Sequence, residues 1–355
     1  MKLTVVSLQT FGDYLLKAPF FYELLSQYPQ AEVTVVTNSK GALVYPLIDS
    51  RLRIAAVDKS DPRLRLFAKL FSIPRADILF LVDTNPSSYL VSLAIRARRR
   101  VGWQQSVSSL FHGPGKGFRD FYHVTPSLQA ILGIILDKKR LREPESYYEG
   151  FVELLLFDTP ITTRPALSQY RGEFSFRPER ELASPTILCA TLASWRARQL
   201  RAGQWIEIVQ SLLKTYPEHR IVIDAANDLF ARMPQDPHIQ QMARSDRLEP
   251  LFNLVYSADV VICSDSFLCH LASWLDVPAV VFFGSASPHR FAPKSPGSSV
   301  LFHKPDCSPC IPAQGEEPCL AGHRTCLSLQ QITCSEVCEA VAKAIATRSQ
   351  AANPA

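Results

Sequence analysis

Buried-strand runs recur along this chain, each followed by a stretch with helical spacing, and the rhythm starts again past the midpoint. LTVVSL (3–8), EVTVVT (32–37), RIAAVD (53–58) and ADILFLVD (76–83) read as strands in the first half. PTILCAT (185–191), RIVIDA (220–225) and the start of the segment at 260 read as strands in the second. Helical spacing is expected over Tyr14–Tyr28, 126–136, 147–157, Gly203–Tyr216 and Cys334–Ala346. Strand runs that are apolar nearly throughout and alternate with helices call for parallel sheets covered on both faces. The fold class expected is therefore α/β: two consecutive Rossmann-like domains facing a central cleft, with ligands at the carboxyl ends of the strands. The 355 residues suit two domains that each bury a core. The expected division is 1–165, 166–332 with a Cys-rich loop at 305–327, and a closing helix and tail at 333–355.

The segment VVICSDSFLCHLASWLDVPAVVFFGSASPHRFAP (260–293) carries the most chemistry. It reads as a strand, a polar turn, an apolar helix and a second strand. Asp265 and Ser266 fall where the first strand hands over to the helix, and His270 lies four residues after Ser266, on the same helix face. Amides at a helix start lack intrahelical acceptors and attract anions, phosphates above all. In the first half, Gln9-Thr10-Phe11-Gly12-Asp13 closes the first strand. Asp13 is open to two readings there, a helix N-cap or a general base.

These residues bear a family resemblance. Gly12-Asp13 with Pro19, Arg100-Val101-Gly102, and Asp265-Ser266 followed by His270-Leu271-Ala272, Val277-Pro278, Phe283-Gly284 and Pro293 resemble, in order, the ADP-heptose:lipopolysaccharide heptosyltransferases. These are inverting enzymes of glycosyltransferase family 9 with the GT-B fold. The resemblance implies Asp13 as the base that deprotonates the acceptor hydroxyl. It implies a donor site of Ser194, Arg198, Asp228, Asp265, Ser266 and His270, in which Arg198 stands where the family has Lys and an Arg offers a planar fork instead of a point charge. A solvated charge at a helix start is the competing reading of Arg198. Phe267 and Leu192 stand where the family has Gly, and bulk at the pocket rim bears on which donor is accepted.

Four thiols, Cys307, Cys310, Cys319 and Cys326, open with C-x-x-C in an irregular stretch that also contains His323. The pattern fits tetrahedral thiolate coordination of a structural Zn or Fe, with free or paired thiols as the alternative. It is similar to the four-Cys iron site of autotransporter heptosyltransferases. Cys189, Cys263 and Cys269 read as core.

The net charge is +5, and the tightest basic run, Arg96 with Arg98, Arg99 and Arg100, reads as a solvated helix end or as a grip on an anionic acceptor. Arg100, with Lys116 in the loop Gly113–Gly117, is the expected acceptor contact. The cluster lacks interleaved aromatics and a reader motif, so no nucleic-acid partner is expected. No apolar run approaches the roughly 20 residues that span a bilayer. A cytoplasmic enzyme is expected, with room for a peripheral contact at the inner membrane. The expected activity is inverting transfer of heptose or a related sugar from a nucleotide-diphosphate carrier to a lipopolysaccharide core, surface glycan or protein, with no catalytic metal required. A sugar-nucleotide epimerase and a non-catalytic sugar-nucleotide-binding scaffold are the alternatives.

Overall fold

The computed structural model describes residues 1–58, 60–83, 86–102, 136–137, 175–179, 184–193, 198–308, 323 and 325–352. The stretches expected as helices at 126–136 and 147–157 lie outside this set, apart from Leu136, as do Lys116 with its glycine loop, Ser194, Cys310 and Cys319. The chain divides into two compact units, Met1–Arg177 and Pro178–Ala355.

The first unit runs β1 (Lys2–Val6), α1 (Phe11–Leu16), α2 (Ala18–Gln27), β2 (Glu32–Thr37), α3 (Ser39–Ile48), β3 (Arg53–Ala56), α4 (Arg63–Ser72), β4 (Ala76–Leu81), α5 (Pro86–Ala94), β5 (Ala97–Gly102) and β6 (Leu136–Asp137). Its strands are ordered β3-β2-β1-β4-β5-β6 and every pairing is parallel. The second unit runs β7 (Thr186–Ala190), α6 (Ala202–Thr215), β8 (Arg220–Asp224), α7 (Asn227–Phe230), β9 (Ile239–Gln241), α8 (Glu249–Ser257), β10 (Val260–Ser264), α9 (Phe267–Trp274), β11 (Ala279–Phe282), α10 (Pro288–Phe291), β12 (Ser299–Leu301), α11 (Leu327–Gln331) and α12 (Cys334–Ala352). Its order, β12-β11-β10-β7-β8-β9, is also parallel throughout. Both sheets thus follow one doubly wound order. Each reverses at a single point, between β1 and β4 in the first and between β7 and β10 in the second, where a ligand crevice forms in folds of this kind.

The strands form where the sequence is β-branched and apolar over a full run. Every residue of β7, β10 and β11 is buried. In the first unit Phe20 packs edge-on against Phe80 with ring centroids 5.5 Å apart, and Phe21 against Tyr45 at 4.8 Å. Phe20, Phe21 and Tyr22 are therefore core residues. The second core gathers around Trp205, whose ring meets Phe282 edge-on at 5.6 Å. α12 closes that core by packing on α6 and on β10, β11 and β12. Cys189, Cys263 and Cys269 are fully buried, and burial pushes the Cys189 thiol up to about 12.

Two expectations are corrected. The helix expected over Tyr14–Tyr28 is two helices that break at Lys17, where Pro19 in the first turn of α2 has no N–H to continue α1. The basic run at 98–100 lies in strand β5, with Arg99 and Arg100 in register with Ile78 and Leu79. Arg100 nevertheless serves a helix end. Its Nη2 and Nε donate to the carbonyls of Ile95 (2.6 Å) and Ser92 (3.2 Å), which cap the C-terminal end of α5 from the neighbouring strand.

Trp205→Ala should cost about 3–5 kcal/mol, the usual penalty for emptying a large aromatic site in a packed core. Chemical denaturation followed by circular dichroism would show it as a lowered midpoint.

Candidate active site

In the first unit, β1 ends at Val6 and the chain turns through Ser7–Gln9 into α1. The N-cap of α1 is Thr10, with extended backbone, and Asp13 stands in the first turn. Of the two readings left open for Asp13, the N-cap position itself belongs to Thr10, and Asp13 is the N3 residue. Its Oδ2 accepts both the Thr10 N–H (3.2 Å) and the Thr10 hydroxyl (2.7 Å), the reach-back half of a capping box. A partly exposed carboxylate is thereby held in one orientation by a single oxygen.

One turn further on lies a group that the sequence did not announce. Lys17 is fully buried and forms an ion pair with the equally buried Asp83, just past the end of β4. Its other protons go to Ser7 Oγ (2.9 Å) and Gln9 Oε1 (3.0 Å), so all three N–H donors are used. Asp83 also accepts the Leu8 N–H and the Ser88 hydroxyl, the latter at 2.6 Å. Tyr45 donates to Ser7 Oγ at 2.7 Å, and burial raises its hydroxyl pKa well above the ordinary tyrosine value. Asn38 Nδ2 donates to the Gln9 carbonyl at 3.0 Å, tying the start of α3 to the same turn. The network joins the carboxyl ends of β1 and β4, the sheet's switch point, and seats the helix that carries Asp13. Its signals were a lone Lys inside YLLKAPFFY and an Asp ending LFLVD.

In the second unit the polar turn after β10 behaves as its sequence implied. Ser266 is the N-cap of α9 in extended conformation, and its side chain makes no cap hydrogen bond. Arg198, arriving from the loop after β7, places Nη1 3.0 Å from Asp265 Oδ2. His270 Nε2 is 4.0 Å from Asp265 Oδ1. Asp265 and His270 are buried, and Arg198 is mostly so. The turn therefore brings together Arg198, Asp265, Ser266 and His270. Asp228 lies apart on α7, exposed and without a hydrogen bond among the described residues.

Three hydroxyls at the carboxyl ends of β10 and β11 are buried with no hydrogen-bond partner among the described residues: Ser264, Ser266 and Ser285. A buried polar atom without a partner costs about 1–3 kcal/mol. With the first amides of α9, which have no intrahelical acceptor, these hydroxyls form a polar corner suited to an anion with many acceptor oxygens. Sequence reasoning also missed Asp224, at the end of β8, whose carboxyl is raised by burial and partly pulled back by Arg244. An apolar strand closing on a carboxylate was its only signal.

The cysteine segment follows β12 and is anchored against the exit of β11. Ser308 donates to the Gly284 carbonyl and Ser328 to the Phe283 carbonyl, each at 2.6 Å. Each of these serines lies beside or near a described cysteine, so both ends of the segment are pinned to consecutive peptide units. Cys326 is buried, and a Cβ added at Gly284 would stand 3.0 Å from its sulfur, a tight approach that would make the Cys326 side chain give by a few tenths of an ångström. Cys307 is exposed, and neither thiol is in a disulfide. Among the described residues no group of three or more His, Cys, Asp or Glu is placed to hold a metal ion.

Residues 180–321 match the model of glycosyltransferase family 9 (heptosyltransferase). The chain is 21% identical over 323 residues to lipopolysaccharide heptosyltransferase 2 of Salmonella typhimurium, covering 85% of this chain and 88% of that one. Its fold is similar to that of the E. coli ADP-heptose lipopolysaccharide heptosyltransferase II, with a TM-score of 0.67 at 18% identity over 98% of this chain and 100% of that one. It is also similar to the iron-containing dodecameric glycosyltransferase TibC of enterotoxigenic E. coli, with a TM-score of 0.58 at 16% identity over 98% of this chain and 79% of that one. The two doubly wound sheets are those of a GT-B fold.

Removing one partner of the buried pair leaves the other charge uncompensated, so Asp83→Ala should lower stability by about 3–5 kcal/mol. Asp13→Ala removes only a capping contact and should cost about 1 kcal/mol. Urea titrations of the two variants side by side would test the contrast.

Proposed function

We propose, on the match of residues 180–321 to the glycosyltransferase family 9 (heptosyltransferase) model, an inverting transfer of heptose, or a related sugar, from an ADP-sugar or another nucleotide-diphosphate sugar. The acceptor is a lipopolysaccharide core, another surface glycan or a protein. The observation that carries the reading is the corner at the start of α9. There an Arg198–Asp265 ion pair, His270 and three buried hydroxyls without a partner among the described residues lie at strand ends beside the start of α9, whose first amides have no intrahelical acceptor.

The chemistry follows from these groups. A diphosphate docks on the amides and on Arg198, and Asp265 contributes by aiming that guanidinium, because a carboxylate would repel the phosphate directly. Asp13 accepts the proton of the acceptor hydroxyl as its oxygen attacks the anomeric carbon from the face opposite the diphosphate. The bond from that carbon to the diphosphate oxygen breaks, and its electron pair leaves with the nucleotide. Arg198, His270 and the helix amides meet the developing negative charge, which is the role of preorganised dipoles in such a transfer. Ser194 and Asp228 extend the donor side, with Asp228 directed at the nucleotide ribose. Lys116 is assigned to the acceptor, together with Arg100 to the extent that capping α5 leaves it available.

The four cysteines, Cys307, Cys310, Cys319 and Cys326, would hold a structural Zn or Fe, which supplies folding energy to a loop with little apolar content. The support is the closed base of that loop at Phe283 and Gly284. A nucleotide-sugar donor places the reaction in the cytoplasm, with the protein peripheral to the inner membrane. No described helix is long and apolar enough to cross a membrane.

Asp13→Asn should lower turnover by about 100-fold or more while nucleotide binding, followed by calorimetry, stays within error. Arg198→Ala should weaken that binding about tenfold or more, the worth of a charge-assisted hydrogen bond. Undiminished turnover in Asp13→Asn would remove the mechanism, and donor isomerised without acceptor would make the enzyme an epimerase. Elemental analysis of purified protein should find about one Zn or Fe per chain, lost in Cys307→Ser; less than about half an equivalent counts against the site.

A further inference from the structure

Helix α4 carries two apolar stripes, and only one of them is used. Leu70 and Ile73 turn into the core of the first unit, with Leu66 half-buried beside them. Leu64, Phe67 and Phe71 are exposed to 86%, 53% and 64%. At the helical turn per residue these three, with Ala68, fall within an arc of about 100° on the face away from the core. Large apolar side chains left in water in one contiguous stripe mark an interaction surface.

The charges around the stripe select its partner. Arg63 borders the arc on one side and Arg65 on the other, and both are exposed. Arg75 is exposed just beyond the helix. Lys69 is held by Asp61 at 2.7 Å, and 62–76 contains no acidic residue. α5, which packs beside α4, exposes Leu90 to 61%. An apolar stripe between arginines matches a bilayer edge-on. The phenylalanines and leucine enter below the headgroups, and the guanidiniums meet anionic phosphates at the surface.

We infer that α4 is a membrane-docking helix, lying in the interface of an anionic bilayer on Leu64, Phe67 and Phe71 with Arg63 and Arg65 at the headgroups. At 10 residues it lies on a membrane and does not cross it. The inference gives the membrane-peripheral part of the proposed function a surface. It is tested without sugar transfer, so either can fail alone.

The test is sedimentation of the full-length protein with vesicles of phosphatidylcholine, alone or mixed with phosphatidylglycerol. The wild type should pellet with the phosphatidylglycerol vesicles, more weakly as salt is raised, and little with phosphatidylcholine alone. Leu64→Ser, Phe67→Ser and Phe71→Ser together should weaken binding about tenfold or more. Arg63→Glu with Arg65→Glu should weaken it by at least about fivefold for each lost arginine. The residues are exposed, so circular dichroism and the denaturation midpoint should match the wild type, and the charge-reversed protein tests the assignment independently of the apolar one. Failure of the wild type to bind anionic vesicles overturns the inference, as does undiminished binding by both variants. A concentration-dependent dimer that the triple variant loses would make the stripe a subunit interface and overturn it too.

Discussion

A parallel sheet covered on both faces leaves polar chemistry one place to act, its carboxyl edge. Each unit here obeys that constraint. Strands such as β7, β10 and β11 bury every residue, so a functional side chain within them would need its own compensation. At the strand ends the loops diverge, most of all at the point where strand order reverses. Ser7, Lys17 and Asp83 gather at the β1/β4 reversal, and Arg198, Asp265 and Ser266 at the β7/β10 reversal. The aromatic contacts of Phe20 with Phe80 and of Trp205 with Phe282 hold helices and sheet together beneath these edges.

The two edges treat buried polarity in opposite ways. At the first, every donor of Lys17 is used, and Asp83 is met by a lysine, a backbone amide and a serine. A buried charge pair is tolerated only when hydrogen bonds fill its remaining sites, and here they do. That makes the cluster a support for the helix bearing Asp13. At the second edge the hydroxyls of Ser264, Ser266 and Ser285 stay partnerless among the described residues, beside helix amides with no intrahelical acceptor. Such a corner is costly in isolation and becomes favourable when an oxygen-rich anion fills it. Satisfied polarity supports a site, and unsatisfied polarity receives a ligand.

Much of this was readable in the residues. The long apolar runs became strands because their period-independent hydrophobicity suits a doubly covered sheet. Asp265, Ser266 and His270 were recognisable because their spacing puts them at one strand–helix junction. β5 was hidden, since three consecutive arginines look like a solvated helix end, and only pairing to β4 shows that Arg100 caps α5 from a strand. The N-cap reading of Asp13 was three residues off, because Thr10 and Asp13 are both acceptable caps and which one begins the helix depends on the backbone of the turn.

Taken alone, the amino-acid order determined the architecture and the strand–helix junctions, because hydrophobic periodicity and helix-start chemistry act over a few neighbouring residues. The pairings across long separations were left to the tertiary structure. Lys17 meets Asp83, Arg198 reaches Asp265, and Ser308 and Ser328 pin one loop to adjacent carbonyls only after the sheets have formed. The same holds for the second face of α4. Its pattern shows an amphipathic helix, but which apolar stripe faces the core is settled by what packs against it. Burial and partner choice are properties of the folded assembly, and no local pattern contains them.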